Sequence, residues 1–320
     1  MTDLAKLNEV ITGRQYDIAR YRLSFKVLQS IYFSDYAGSA IRGAFGHSLR
    51  RVCCMTHQRE CTGCPLVSTC PYKVIFEPPV PEGELLQNFS RIPVSYLIEA
   101  PIDSAGEHLP GSVFYFDLVL IGKAIDNLAL IMFAMIKAFA KDIGHGKAEF
   151  FSLDLISQDG SCQCIYDSKC NEIMEHNTSI QLTQHSPSES VTLNFLTPLR
   201  IQDNGRVVPP DELTARKLLI TLIRRIDLIL KFHCKTNLEI PFSEVNTSLD
   251  SVTFTHQLKF KNWSRYSNRQ HQKMNLGGYV GEVKLNNLPD YMQSFLQIGQ
   301  YLHVGKNAVF GLGRYELLLG

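Results

Sequence analysis

The sequence predicts an α+β protein of two tandem βαββαβ units, the first carrying a cysteine-rich insertion. Three observations carry that expectation. Stretches of strict apolar alternation, the period-two signature of a half-buried strand, are interspersed with stretches whose apolar residues recur at helical spacing. The same element order runs twice along 320 residues, a length that suits two ordinary domains. Between the two runs, residues 158–188 are polar and show neither pattern. Each unit has the ferredoxin-like (RRM-like) order of elements.

Residues 1–15 read as a polar lead-in. A strand follows over 17–33, where Tyr21, Leu23, Phe25 and Val27 alternate with other residues. A helix is expected over 39–52, because Ile41, Ala44, Phe45, Ser48, Leu49 and Val52 fall on one side. The insertion, residues 53–76, holds five cysteines. Strands are expected over 91–100 and 112–121. A helix built on Leu128, Leu130, Ile131, Ala134, Met135 and Phe139 spans 124–141, and a strand over 149–157 closes the first unit, residues 1–157. Residues 158–188 form an insertion or linker. The second unit, 189–320, repeats the order: a strand over 190–200, a helix over 211–234 after Pro209-Pro210, strands over 251–263 and 279–285, a helix over 288–302, and a strand over 310–319.

Composition narrows the function. The formal net charge is only +1, so a nucleic-acid partner would have to be met by local clusters of cations. The start, Met1-Thr-Asp-Leu-Ala-Lys6, lacks the apolar core of a signal peptide. No apolar run approaches the ~18–20 residues that cross a bilayer. The expected compartment is the cytoplasm. There, nine cysteines point to metal binding or buried thiols rather than disulfides.

Four local patterns can carry chemistry. The ending, His303-Val-Gly-Lys-Asn-Ala-Val-Phe-Gly-Leu-Gly-Arg314, places Gly305, Gly311 and Gly313 beside Lys306 and Arg314. Glycines permit positive φ and close backbone approach, and successive free N–H groups beside cations make an anion cradle. The bland alternative is a tight turn before a strand. The spacing fits neither the P-loop nor G-x-G-x-x-G, and the hydrolase G-x-S-x-G is absent, so no nucleotide or other catalytic cofactor is expected.

The second pattern surrounds His47. From Tyr36 to Arg59 there is no acid, while Arg42, Arg50, Arg51 and Arg59 are present. An imidazole titrates near neutrality, so His47 suits proton transfer, and the arginines suit phosphate. By residue type alone, a surface histidine on an Arg-rich helix is the commoner reading. His303, before the glycine-rich loop, competes as a proton carrier or as a residue that orders the loop.

The third pattern is a run of five cations with no acid: Lys259, Lys261, Arg265, Arg269 and Lys273, interleaved with Trp263 and Tyr266. Such a run suits RNA through phosphate contact and base stacking, or is a solvated hairpin. The fourth is Cys54-x6-Cys61-x2-Cys64-x5-Cys70, with Cys53 as an alternate for Cys54. Four thiolates suit a closed structural zinc site; an iron–sulfur cluster would take the same ligands, and unrelated buried thiols are the third reading.

Several of these stretches together resemble one family. They are Gly38-Ser-Ala-Ile-Arg-Gly-Ala-Phe-Gly-His-Ser-Leu-Arg-Arg51, Phe195-Leu-Thr-Pro-Leu-Arg200, residues 265–283 and the glycine-rich ending. They are similar to the CRISPR-associated "Cas six" family, RAMP-superfamily endoribonucleases that cut precursor crRNA. The resemblance implies two ferredoxin-like domains. It also implies CRISPR repeat RNA as substrate and, as partners, other CRISPR effector subunits. The implied reaction is metal-independent attack by a 2′-hydroxyl, leaving 2′,3′-cyclic phosphate and 5′-hydroxyl ends. The family places a catalytic histidine in or near the first helix, a position His47 matches, often with a tyrosine from the preceding loop; Tyr32 and Tyr36 both sit there. A lysine that some members use in this helix has no counterpart, and Arg50 or Arg51 would take its place. A non-catalytic RNA-binding RAMP subunit is the alternative reading.

Overall fold

The computed structural model describes residues 3–78, 92–167, 169, 172–183, 190–267 and 272–319. The chain divides into two compact units, residues 18–178 and residues 1–17 with 179–320.

In the first unit, β1 (Ile18–Gln29) is the central strand. A short β2 (Ile31–Phe33) leads to α2 (Gly38–Cys53); the cysteine-containing loop and a short α3 (Pro71–Phe76) follow. Then come β3 (Tyr96–Glu99), β4 (Gly106–His108), β5 (Val113–Ile121), α4 (Leu128–Lys141), β6 (Lys147–Ile156) and β7 (Cys162–Asp167). The five-stranded sheet has the order β3-β5-β1-β6-β7 and its pairs are antiparallel. Its first four strands have the order expected of a βαββαβ unit, and β7 extends the edge. Phe25, Phe116 and Phe139 stack between sheet and helix, with ring centroids 4.0 to 6.0 Å apart. Rings of this size bury a large apolar area each and dominate the core. Two ion pairs brace the sheet: Arg22 on β1 grips both oxygens of Asp117 on the adjacent β5 at 2.7 and 3.0 Å, and Arg20 on β1 reaches past β5 to buried Glu99 on β3 at 3.1 Å.

The second unit contains β8 (Ser190–Leu199), α5 (Ala215–His233), a short α6 (Phe242–Ser248), β9 (Thr253–Lys261), β10 (Ser264–Ser267), β11 (Gln272–Asn275), β12 (Gly278–Asn286), α7 (Asp290–Leu302) and β13 (Tyr315–Leu319). Its antiparallel sheet runs β9-β12-β8-β13, the same interleaved order. Thr214 caps α5, its hydroxyl accepting the Lys217 N–H at 3.2 Å.

Both units are therefore ferredoxin-like, but the expected boundaries need correction. Residues 1–15 are not a lead-in: α1 (Asp3–Thr12) buries Leu7 and Ile11 one turn apart and packs on α7 of the second unit. The first unit does not end at 157, because β7 pairs with β6 and continues its sheet; residues 158–178 belong to it. Among the described residues no helix is long and apolar enough to cross a membrane.

Candidate functional site

Helix α2 turns one face inward. Ile41, Phe45 and Leu49 are fully buried at i, i+4 and i+8, each contributing about 1.5–3 kcal/mol by leaving water. Gly46 sits against the Phe76 ring, where a Cβ would collide. The outer face carries Gly43, His47 and Arg51, one turn apart and all exposed. A Cβ on Gly43 would meet nothing within 4 Å, so the backbone beside His47 is open to a ligand. With no acid from Tyr36 to Arg59, nothing local opposes a phosphate at this stripe.

The remaining arginines do not face outward with it. The Arg42 guanidinium lies 4.2 Å over the Phe76 ring, and Arg50 donates to the carbonyls of Gln58 and Arg59, both at 2.7 Å. These two side chains hold α2 to α3 and to the cysteine loop, and of the three arginines on this helix Arg51 is the exposed one. The tyrosines separate in the same way. Tyr36 is buried and its hydroxyl accepts the Ala100 N–H at 3.0 Å, a structural bond that accounts for its position. Tyr32 is 54% exposed on β2. Its backbone N–H is bound to Gly144 O at 2.8 Å, which ties its strand to the turn between α4 and β6.

The glycine-rich loop of the second unit is a packed scaffold rather than an open anion cradle. Four of its N–H groups are taken by carbonyls: Lys306 by Arg200 at 2.9 Å, Phe310 by Asn307 at 2.9 Å, Gly311 by Ala308 at 2.8 Å and Gly313 by Pro198 at 3.0 Å. The Thr197 hydroxyl donates to Gly311 O at 2.7 Å and accepts the Arg314 N–H at 2.9 Å. Gly305, Gly311 and Gly313 all have φ between +67 and +90, and a Cβ on Gly313 would overlap Val304 O. The Phe195–Arg200 stretch thus grips the loop from its own irregular end of β8, where the register shifts. His303 is fully buried at the end of α7, with φ 57, and does not face solvent. That position fits the loop-ordering role. Lys306 is exposed and Arg314 half-buried.

The basic run forms the end of β9 and the β10–β11 hairpin. Lys259 is exposed; Lys261 Nζ lies 5.0 Å over the ring of Trp263, which is buried and so unavailable for base stacking. Arg265 pairs with Met274 and Tyr266 with Lys273 in the ladder, and Arg269 lies outside the described residues.

Cys53, Cys54, Cys61, Cys64 and Cys70 line one cavity of about 130 Å³. The Thr56 hydroxyl lies 3.7 Å from Cys64 Sγ and 4.0 Å from Cys54 Sγ. Among the described residues, however, no three His, Cys, Asp or Glu side chains form a group that could hold a metal ion. Cys54, Cys61, Cys64 and Cys70, the expected donor set, share the lining of one cavity.

The sequence profile of the AF_1859_N N-terminal domain matches residues 15–178, and that of the CRISPR-associated endoribonuclease Cas6 matches residues 193–315. Among solved structures, the chain is similar to a partial Cas6-RT-Cas1–Cas2 complex, with a TM-score of 0.58 and 13% identity over 97% of this chain. It spans only 47% of that protein. It is also similar to a Cas6 product complex, with a TM-score of 0.55 and 14% identity over 94% of this chain and 100% of the other. Thermus thermophilus Cas6 gives a TM-score of 0.50 and 13% identity over 95% and 99% of the two chains. Likeness at these identities shows the fold. No curated protein matches the chain.

Proposed function

The chain belongs to the AF_1859_N N-terminal-domain family through residues 15–178 and to the CRISPR-associated endoribonuclease Cas6 family through residues 193–315, and from that premise we propose that it cuts precursor CRISPR RNA at the exposed stripe of α2. The observation that carries the reading is the Gly43–His47–Arg51 stripe: an imidazole and a guanidinium on one exposed, acid-free helical face, beside a glycine that leaves the backbone open.

The 2′-oxygen of the nucleotide before the cut attacks the adjacent phosphorus as its proton is removed. The O2′–P bond forms, the P–O5′ bond breaks, and a proton goes to the departing 5′-oxygen. The products are a 2′,3′-cyclic phosphate and a 5′-hydroxyl. His47 carries a proton at this centre, and the exposed Tyr32 hydroxyl is its partner at the second oxygen. Arg51 stabilises the charge that builds on the phosphoryl oxygens. No step passes through the cysteine loop.

Incubating the purified protein with its host's repeat RNA in excess chelator tests the reading. A single cut with cyclic-phosphate and 5′-hydroxyl ends is expected. Retention of intact RNA would instead make the chain a non-catalytic RNA-binding subunit, and cleavage that stops in chelator would contradict the metal-independent route.

A further inference from the structure

We propose that the groove between α2 and α4 holds a single-stranded stretch of the repeat RNA next to the cut phosphate; the inference rests on the RNA-cleaving reading above. The groove encloses about 510 Å³ and four of its lining residues are cations: Arg51 from α2, Lys137 and Lys141 from α4, and Lys147 from the start of β6. All four are exposed, no acid lines the groove, and none of them forms an ion pair among the described residues. Four like charges held around one concavity repel each other, which an anionic strand would relieve.

The groove also offers a face for a base. Phe133 lines it and is 45% exposed, unusual for an aromatic ring on a packed helix. Phe133, Lys137 and Lys141 recur every four residues, so α4 presents a ring and two ammonium groups in one row, with Lys137 Nζ 5.2 Å from the ring. Cations along a groove with an aromatic face among them are the means by which proteins hold unpaired strands without reading sequence.

Position joins the groove to the proposed centre. Arg51 lies one turn beyond His47 on the same face of α2. At the other side, Lys141 and Lys147 flank the turn whose Gly144 carbonyl holds the strand of Tyr32. A strand lying in the groove is thereby bounded by both residues proposed to act on the phosphate. The groove lies wholly within the first unit.

Binding of repeat RNA to the triple variant K137A/K141A/K147A and to F133A tests this, with thermal unfolding as a folding control. The triple variant should bind more weakly by about tenfold or more. Its log–log salt slope should fall by about 2, since each neutralised phosphate of a single strand contributes roughly 0.7. F133A should lose about tenfold with its slope unchanged, because stacking releases no counterions. Shortening the RNA on one side of the cut should weaken the wild type while leaving the triple variant nearly indifferent. Unchanged affinity and slope in the folded triple variant would overturn the proposal and leave the groove to an acidic protein partner. A groove effect on binding in a protein that never cuts would uphold the groove and overturn the catalytic reading; a wild type that binds no repeat RNA would overturn both.

Discussion

Replacing His47 by alanine should slow cleavage of repeat RNA in single turnover by about 10²-fold or more, the usual worth of a positioned acid or base. Repeat binding should survive. His47 lies on the exposed face of α2, away from Ile41, Phe45 and Leu49, so its removal opens no cavity. Alanine is the strongest helix former, so α2 should gain slightly in stability. Loss of the imidazole is then the only substantial change at the stripe. A His47→Ala protein that cuts at the wild-type rate would remove α2 from the mechanism. His303 would not readily replace it, because its side chain is fully buried.

The second large effect concerns stability. Gly313→Ala should destabilise the protein by roughly 2–5 kcal/mol, read as a lowered urea midpoint. Two costs add. A residue with a Cβ in the left-handed region loses about 1–2 kcal/mol, and Gly313 has φ 67. The new Cβ also overlaps Val304 O, and relieving such overpacking costs about 1–3 kcal/mol. Against a typical domain stability of about 5–15 kcal/mol this is a large fraction. An open anion cradle would behave differently, with RNA binding lost and the midpoint unchanged. That result would contradict the scaffold role assigned to the loop, whose N–H groups at Lys306, Gly311 and Gly313 already have partners.

How much of this was legible in the sequence depends on whether the controlling contacts are local. The second unit was readable because its strands alternate and α5 and α7 have clear apolar faces; its order of elements follows from period alone. Helix α1 was missed because its buried residues, Leu7 and Ile11, are few and it gains its partner from α7, nearly three hundred residues away. Strand β7 was missed because it is an edge strand whose first residues, Cys162, Gln163 and Cys164, are exposed, so no alternation marks it.

The candidate site divides in the same way. The acid-free stretch and the outward position of His47 are local properties of one helix. Which of Arg42, Arg50 and Arg51 faces solvent depends on Phe76, Gln58 and Arg59, partners that the spacing alone does not name. Tyr36 was separated from Tyr32 only by a bond to Ala100, 64 residues on. The row of Phe133, Lys137 and Lys141 is legible in the sequence itself. It is an aromatic residue and two lysines at four-residue spacing, opposite the face carrying Ile131, Ala134 and Met135.

The central claim is that the RNA cuts itself with its own 2′-hydroxyl at a centre built on α2. The most direct measurement compares the host repeat RNA with a copy carrying a single 2′-deoxy nucleotide just before the cut, at equal binding saturation. The account predicts that the ribose substrate is cut once and the deoxy copy is bound but left whole, because the attacking oxygen is missing. Cleavage of the deoxy copy at the same position and rate would show that the nucleophile comes from elsewhere and would contradict the mechanism.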